Sequence, residues 1–314
     1  MEKSSISLKY DFKVEPIRIN KVLRVLSEDH NLLDLIKARD IWDQTDKGDG
    51  IITAVIDSGI ENHRDLAGNV IGGYNFTEDD GSDPYHFQDY IGHGTHVAGI
   101  IAASPERDNG VVGVAPRSKL LILKVINKNG VGNFSHLIQA IDHAMNWVGP
   151  RGQKVSIINM SLGGSEYNEE LHRIIKRARK QGIVLVAAAG NEGDGKGETV
   201  ELSYPGFYKE VIQVGSISKY NIPSSFSNSN VNLDIVGPGE DILSTHLNNN
   251  YAELTGTSMA APFVAGAAAL IIKKMKDIDT SLIPMYVYHY LLINALNLPD
   301  YPLKQVGNGF LQLS

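Results

Sequence analysis

The sequence predicts an α/β fold: a single domain with a central parallel β-sheet flanked by helices. Three observations carry this expectation. Short, nearly continuous apolar runs recur at residues 51–56, 120–126, 155–160, 183–189, 211–214 and 233–236. Amphipathic stretches lie between them, and glycine-rich corners follow several of the runs. Strands that are apolar on both faces belong to parallel sheets covered by helices.

The elements follow in order. Before residue 36, the spacing of Val22, Leu23, Val25, Leu26, Leu32, Leu33 and Ile36 fits short helical turns. Residues 136–148 read as a helix because Leu137, Ile138, Ile141, Ala144, Met145 and Val148 fall on one stripe. In residues 169–181, Leu171, Ile174, Ile175 and Ala178 form the inner stripe, while Arg173, Lys176, Arg177, Arg179 and Lys180 face water. Gly182 ends that helix. Residues 260–272 read as an apolar helix with Pro262 in its first turn, where a missing N–H costs no intrahelical bond. The tail at residues 285–296 is apolar and aromatic, and fits a last core helix or a face for a second copy. No repeat or low-complexity tract divides the body, so the expected partition is an N-terminal extension over 1–25 and one domain over 26–314.

Composition narrows the function classes. The 314 residues include no cysteine, which excludes disulfide scaffolds, thiolate metal sites and a cysteine nucleophile. The net charge of −7 argues against a nucleic-acid partner. Lys3, Lys9, Asp11, Lys13, Glu15, Arg18, Lys21 and Arg24 break every run that could serve as a secretory signal. The longest weakly polar stretch, 259–272, is shorter than the ~20 residues of a membrane span. The expectation is a cytoplasmic protein without a membrane partner.

In open parallel sheets, function gathers beyond the carboxyl ends of the strands. Asp57 follows the first apolar run, His93 and His96 lie in a corner of small residues, Asn191 sits between Gly190 and Glu192, and Ser258 opens a helix. Singly, each has an ordinary reading: a turn former, a histidine pair without a third metal ligand, a turn residue, a helix cap. Together they meet the needs of one reaction. A serine hydroxyl becomes a nucleophile when a base takes its proton. Histidine is the natural base near neutral pH, and a buried carboxylate fixes its tautomer. The oxyanion then needs donors set in advance, which a side-chain amide and a helix N-terminus supply.

The order Asp57, His93, Ser258, with the strings AVIDSGI, GHGTHVAG, NMSLGG, AAAGNEG and GTSMAAP, resembles the subtilisin-like serine proteases. The order Asp, His, Ser is the one described for that family. The resemblance runs from about residue 38 to 313. It implies a serine endopeptidase with Asp57 as orienter, His93 as general base and acid, Ser258 as nucleophile, and Asn191 as oxyanion donor. It also implies that a peptide substrate adds as a strand between Gly130, Gly132 and the segment Ser161, Leu162, Gly163. A first specificity pocket would lie between that segment and Ala187–Gly190, with Ala188 and Gly190 lining it and Ser203 at its floor. The neutral floor suggests a roomy pocket for apolar residues, with Glu201 two positions away.

The strings GNEGDG, SYPGFYKEVI and GNGFLQL look like those of the intracellular bacterial subtilisins. In them a short extension with a Leu-Ile-Pro-Tyr motif blocks the active site. Here the matching place reads Val14-Glu15-Pro16-Ile17, and Pro16 is the shared residue. The resemblance thus implies a zymogen held inactive by its extension, and a homodimer through the C-terminal segment. It also implies a structural calcium ion held by Asp65 and Asp108, and no catalytic cofactor. Departures are Ile91 in place of an asparagine in the second specificity pocket, Phe263 in place of a non-catalytic histidine, and altered lengths in the loops 57–65 and 104–110. Alternatives within the same residues are a dedicated leader-peptide processing protease and a non-catalytic peptide-binding relative.

Overall fold

The computed structural model describes residues 12–13, 18–23, 32–105, 110–275 and 278–314. Its strands are β1 (Phe12–Lys13), β2 (Arg18–Leu23), β3 (Ile52–Asp57), β4 (Val70–Asn75), β5 (Lys119–Lys124), β6 (Val131–Gly132), β7 (Ile157–Met160), β8 (Val184–Ala188), β9 (Ile212–Ile217), β10 (Ile235–Pro238), β11 (Ile242–His246) and β12 (Asn250–Thr255). Its α-helices are α1 (Leu32–Leu35), α2 (Trp42–Thr45), α3 (His93–Ala102), α4 (Phe134–Asn146), α5 (Glu169–Lys180), α6 (Thr257–Lys274), α7 (Ile283–Asn294) and α8 (Leu303–Val306).

The central sheet has seven strands in the order β10-β9-β8-β7-β3-β5-β4. Every neighbouring pair in it is parallel. Side chains alternate across it, as the period of two requires. Val55, Leu120, Ile122, Ile157 and Val184 pack with α3 and α6 on one face. Ala54, Ile56, Leu121, Ile158 and Leu185 pack with α4 and α5 on the other. The apolar runs are therefore continuous because both faces are covered.

The chain leaves β3 for the β4 edge, returns through β5, and then crosses to β7 on the far side of β3. The strand order reverses there, which opens a crevice at the carboxyl ends of β3 and β7. Asp57 ends β3 and Ser161 directly follows β7.

Local chemistry sets the helix limits. Asn133 and Asn168 cap α4 and α5 by accepting from the N–H groups of His136 and Leu171. The α4 helix begins two residues before the expected start because Asn133 supplies that cap. Gly182 follows α5 with φ +87°, the left-handed stop expected of it. No helix among the described residues is long and apolar enough to cross a membrane.

Two expectations are corrected. Val22 and Leu23 belong to a strand, not a helical turn: β2 pairs antiparallel with β12, whose edge draws the segment into extended form. Pro262 lies in the second turn of α6, because the helix already starts at Thr257. Its absent N–H therefore leaves the Ser258 carbonyl, four residues earlier, without its intrahelical donor.

Candidate active site

Asp57 is fully buried at the carboxyl end of β3. One of its oxygens accepts from the Ser58 N–H and from His93 Nδ1, both at 2.7 Å. His93 is the first residue of α3 and is also buried. Burial alone would lower its pKa. The charge and hydrogen bond of Asp57, with Asp89 beyond, outweigh that and hold it above the ordinary imidazole value.

Sequence reasoning missed Asp89. It is buried, and its carboxylate accepts from the N–H groups of Ile91 (3.0 Å), Gly92 (2.9 Å) and Thr95 (2.9 Å). It also accepts from the hydroxyls of Thr95 (2.7 Å) and Ser58 (3.0 Å). Ser58 Oγ in turn accepts from Gly94 N–H at 2.9 Å. One carboxylate thus caps α3 and ties the loop after Asp57 to the helix that carries His93. Gly92 stands at the N-cap and offers no side chain of its own. The signal in the sequence was an acidic residue one turn ahead of the helix start.

Lys124, paired with Asp57 across β3 and β5, is also buried. Its ammonium donates to the carbonyls of Ser58 (2.7 Å) and Ile126 (2.9 Å) and lies 3.2 Å from the Asp79 carboxylate. His96 is not a metal ligand here. Its Nε2 faces the carbonyls of Ile242 (2.8 Å) and Ala252 (3.0 Å), and burial pushes its pKa down to about 3.

Ser258 lies in the first turn of α6, which packs beside α3. Its hydroxyl donates to the Ser161 carbonyl at 3.0 Å. Its carbonyl, released by Pro262, accepts from the Ser161 hydroxyl at 2.8 Å. Ser161 therefore frames Ser258 from the end of β7.

The Asn191 side-chain oxygen accepts from the N–H and the hydroxyl of Thr257, each at 2.9 Å. That leaves the amide NH2 as the free donor end, facing the start of α6: a Cβ built on Gly256 would lie 3.5 Å from it. Thr257 Oγ also accepts from Gly190 N–H at 3.2 Å.

The expected pocket residues are brought together. Gly164 and Tyr204 exchange backbone hydrogen bonds of 2.9 and 2.7 Å, which joins the 161–164 segment to 203–205. A Cβ on Gly163 would strike the Ser203 hydroxyl, so a side chain is sterically excluded there. Leu162 and Ala188 are both buried, on opposite faces of the sheet. Glu201 is turned away and accepts from the Ser229 N–H at 3.0 Å. An acidic group that sequence reasoning passed over, Glu192, stands beside Gly190 and accepts from the Asn228 amide at 2.7 Å.

Gly132 lies against Phe12. Strand β1 pairs antiparallel with β6, Phe12 opposite Gly132 and Lys13 opposite Val131. The Phe12 ring is buried, with its centroid 5.7 Å from that of Phe134. Pro16, expected to obstruct the site, lies outside the described residues, as does Asp108. Asp65 is buried, and one of its oxygens accepts from Tyr251 OH (2.9 Å) and Val111 N–H (3.2 Å). Its other oxygen is 3.8 Å from the Arg64 guanidinium. Asp65 thus has one oxygen taken by two donors and the other beside a cation, and no cluster of three or more ligating side chains occurs among the described residues.

Comparison with known proteins agrees with this geometry. The subtilase family model matches residues 48–309. The chain is 48% identical over 302 residues to an intracellular serine protease of Paenibacillus polymyxa, covering 95% of this chain and 90% of that one. It is 45% identical over 307 residues to the major intracellular serine protease of Bacillus subtilis, covering 97% and 94%. It is 39% identical over 269 residues to subtilisin DY of Bacillus licheniformis, covering 85% and 92%. With the family model spanning most of its length, and Asp57, His93 and Ser258 at the mouth of the sheet's crevice, the chain belongs to the subtilase family of serine proteases.

Proposed function

We propose that this protease cleaves peptide bonds through Ser258, with His93 taking the serine proton and passing it to the leaving amine. Asp57 holds the imidazole tautomer and stabilises its charged form. The Asn191 amide and the Ser258 backbone N–H receive the oxyanion. The observation that carries this reading is the buried Asp57–His93 pair at 2.7 Å on the switch point of the sheet. In the resting arrangement the Ser258 hydroxyl is bonded to Ser161, so attack requires rotation about its χ1 toward the base.

Two of the three relatives are named as intracellular proteases, which supports a cytoplasmic enzyme. The extension is read as an inhibitor. Its β1 occupies the strand that the cleft offers to substrate, and its β2 lies on the strand leading to Ser258. Exposed Met285, Tyr286 and Ile293 on α7 support a dimer through the C-terminal segment.

One time course tests the core of the reading. Purified protein is incubated with casein, and peptide release is followed together with the protein's own intact mass, with Ser258→Ala as control. Peptide release that accelerates as the first ~20 residues disappear, absent from the control, is the expected result; shedding of that segment is the removal of an exposed terminus. Self-trimming with casein left intact would move the enzyme to dedicated processing. Activity retained by Ser258→Ala would end the proposal.

A further inference from the structure

Asn159 is the first residue of the string NMSLGG, and the reaction described so far makes no use of it. It is fully buried within β7. By the period of two it shares the face of Ile157, and across the sheet it stands beside Val55 and Val186. An amide among aliphatic side chains is costly unless its polar atoms are met. Here one end is met. The amide Nδ2 donates to the Ser161 hydroxyl oxygen at 3.0 Å, while Oδ1 meets no donor among the described residues. A leucine would fill a similar volume without that cost. The amide therefore answers a need other than packing.

The need is the orientation of Ser161. A serine hydroxyl has one proton to give and two lone pairs to offer. With the Asn159 N–H on one lone pair, the Ser161 proton is directed to its other contact, the Ser258 carbonyl at 2.8 Å. The Ser161 carbonyl in turn receives the Ser258 hydroxyl at 3.0 Å. Backbone and side chain of Ser258 thus both rest on Ser161, and the Ser161 hydroxyl rests on Asn159. We infer that Asn159 is a positioning residue for Ser258: its amide fixes the Ser161 side chain, and through it the first turn of α6 and the starting orientation of the nucleophile. The inference deepens the proposed function and rests on Ser258 as the attacking group. Asn159 acts through Ser161, not on the substrate itself.

The test compares four full-length proteins: the unchanged chain, Asn159→Leu, Ser161→Ala and the pair. Each is assayed on one quenched-fluorescent peptide after reaching constant activity, with burst titration to count reactive serines. Asn159→Leu is expected to lower kcat about tenfold, the order of one hydrogen bond's net worth, with KM within about twofold. Its Tm, read in the Ser258→Ala background, should be equal or higher, because an open buried oxygen is gone. An amide kept for the fold would instead lower Tm and leave kcat per reactive serine unchanged. The pair should be no slower than Ser161→Ala alone, since the amide acts through that hydroxyl. Unchanged kcat in Asn159→Leu, or losses that multiply in the pair, overturns the inference. If Asn159→Leu does not fold, Asn159→Asp takes its place in the same cycle. That change keeps the shape, and the carboxylate accepts from Ser161 and draws its proton away from Ser258. If the unchanged chain cuts no peptide, the peptidase reading fails by itself, and crystal structures of the unchanged chain and the variant decide. A Ser161 hydroxyl turned away from the Ser258 carbonyl in the variant supports the inference, and one still in place overturns it.

Discussion

The hydroxyl of Ser161 donates to the carbonyl oxygen of Ser258 at 2.8 Å, in the place of the N–H that Pro262 lacks. A proline in the second turn of a helix ordinarily leaves a buried acceptor open. Here a residue 97 positions away fills it, and so fixes the first turn of the helix that carries Ser258.

Removing that hydroxyl should therefore be costly. In a Ser258→Ala background, which prevents self-digestion, Ser161→Ala is expected to lower unfolding stability by about 1–3 kcal/mol, the cost of orphaned buried polar groups. Adding Pro262→Ala restores an intrahelical donor and should recover part of the loss. Urea denaturation of the background, each single change and the pair measures both effects. Purely additive changes would show that the two residues are not coupled.

Thr257 holds the oxygen of Asn191 at 2.9 Å from two donors, so the amide NH2 is the end left for the proposed oxyanion contact. Asn191→Ala should reduce kcat by roughly 10²–10³ with little change in KM, because the interaction forms with the oxyanion. Thr257→Val, which keeps the N–H contact and loses the hydroxyl, should have a smaller effect in the same direction.

His93 must be neutral to act as base. Burial pulls its pKa down, but Asp57 and then Asp89 raise it, so kcat/KM should fall with decreasing pH through a midpoint above the ordinary imidazole value. The other close histidine, His96, stays neutral through that range. Asp89→Asn should move the midpoint down while the Asp57 contact remains. A wild-type midpoint at or below that of free imidazole would contradict this account.

Burial pushes the Asp234 carboxyl up to about 6, against hydrogen bonds from Gln213 N–H and Tyr288 OH and the charge of Arg179. A raised acid stabilises the fold when protonated. Its contribution is full below the unfolded value of 3.8 and is lost as pH rises through about 6. Stability should thus decline by up to about 3 kcal/mol across that window, and Asp234→Asn should flatten the decline. Thermal unfolding at several pH values of the Ser258→Ala form measures it.

Asp65 is held by Tyr251 and Val111 with Arg64 alongside. Any rise in Tm on adding calcium should therefore survive in Asp65→Asn. Its disappearance in that variant would make Asp65 a ligand after all.

Much of this protein was legible without coordinates. The parallel sheet follows from apolar runs separated by amphipathic segments, because local periodicity reports burial directly. Asp57, His93, Asn191 and Ser258 stand out as candidates because each falls where a strand or corner ends, among small residues. Tertiary structure alone decided the rest. The turn to strand at Val22 and Leu23 came from an open edge on β12, which no local pattern encodes. Capping by Asp89, the Ser161 bond to Ser258 and the bond from Tyr251 to Asp65 depend on three-dimensional approach. Residue type and spacing along a chain determine which chemistry is available. Which donor meets which acceptor is settled only when distant segments pack, because a hydrogen bond is sensitive to tenths of an ångström that sequence separation does not specify.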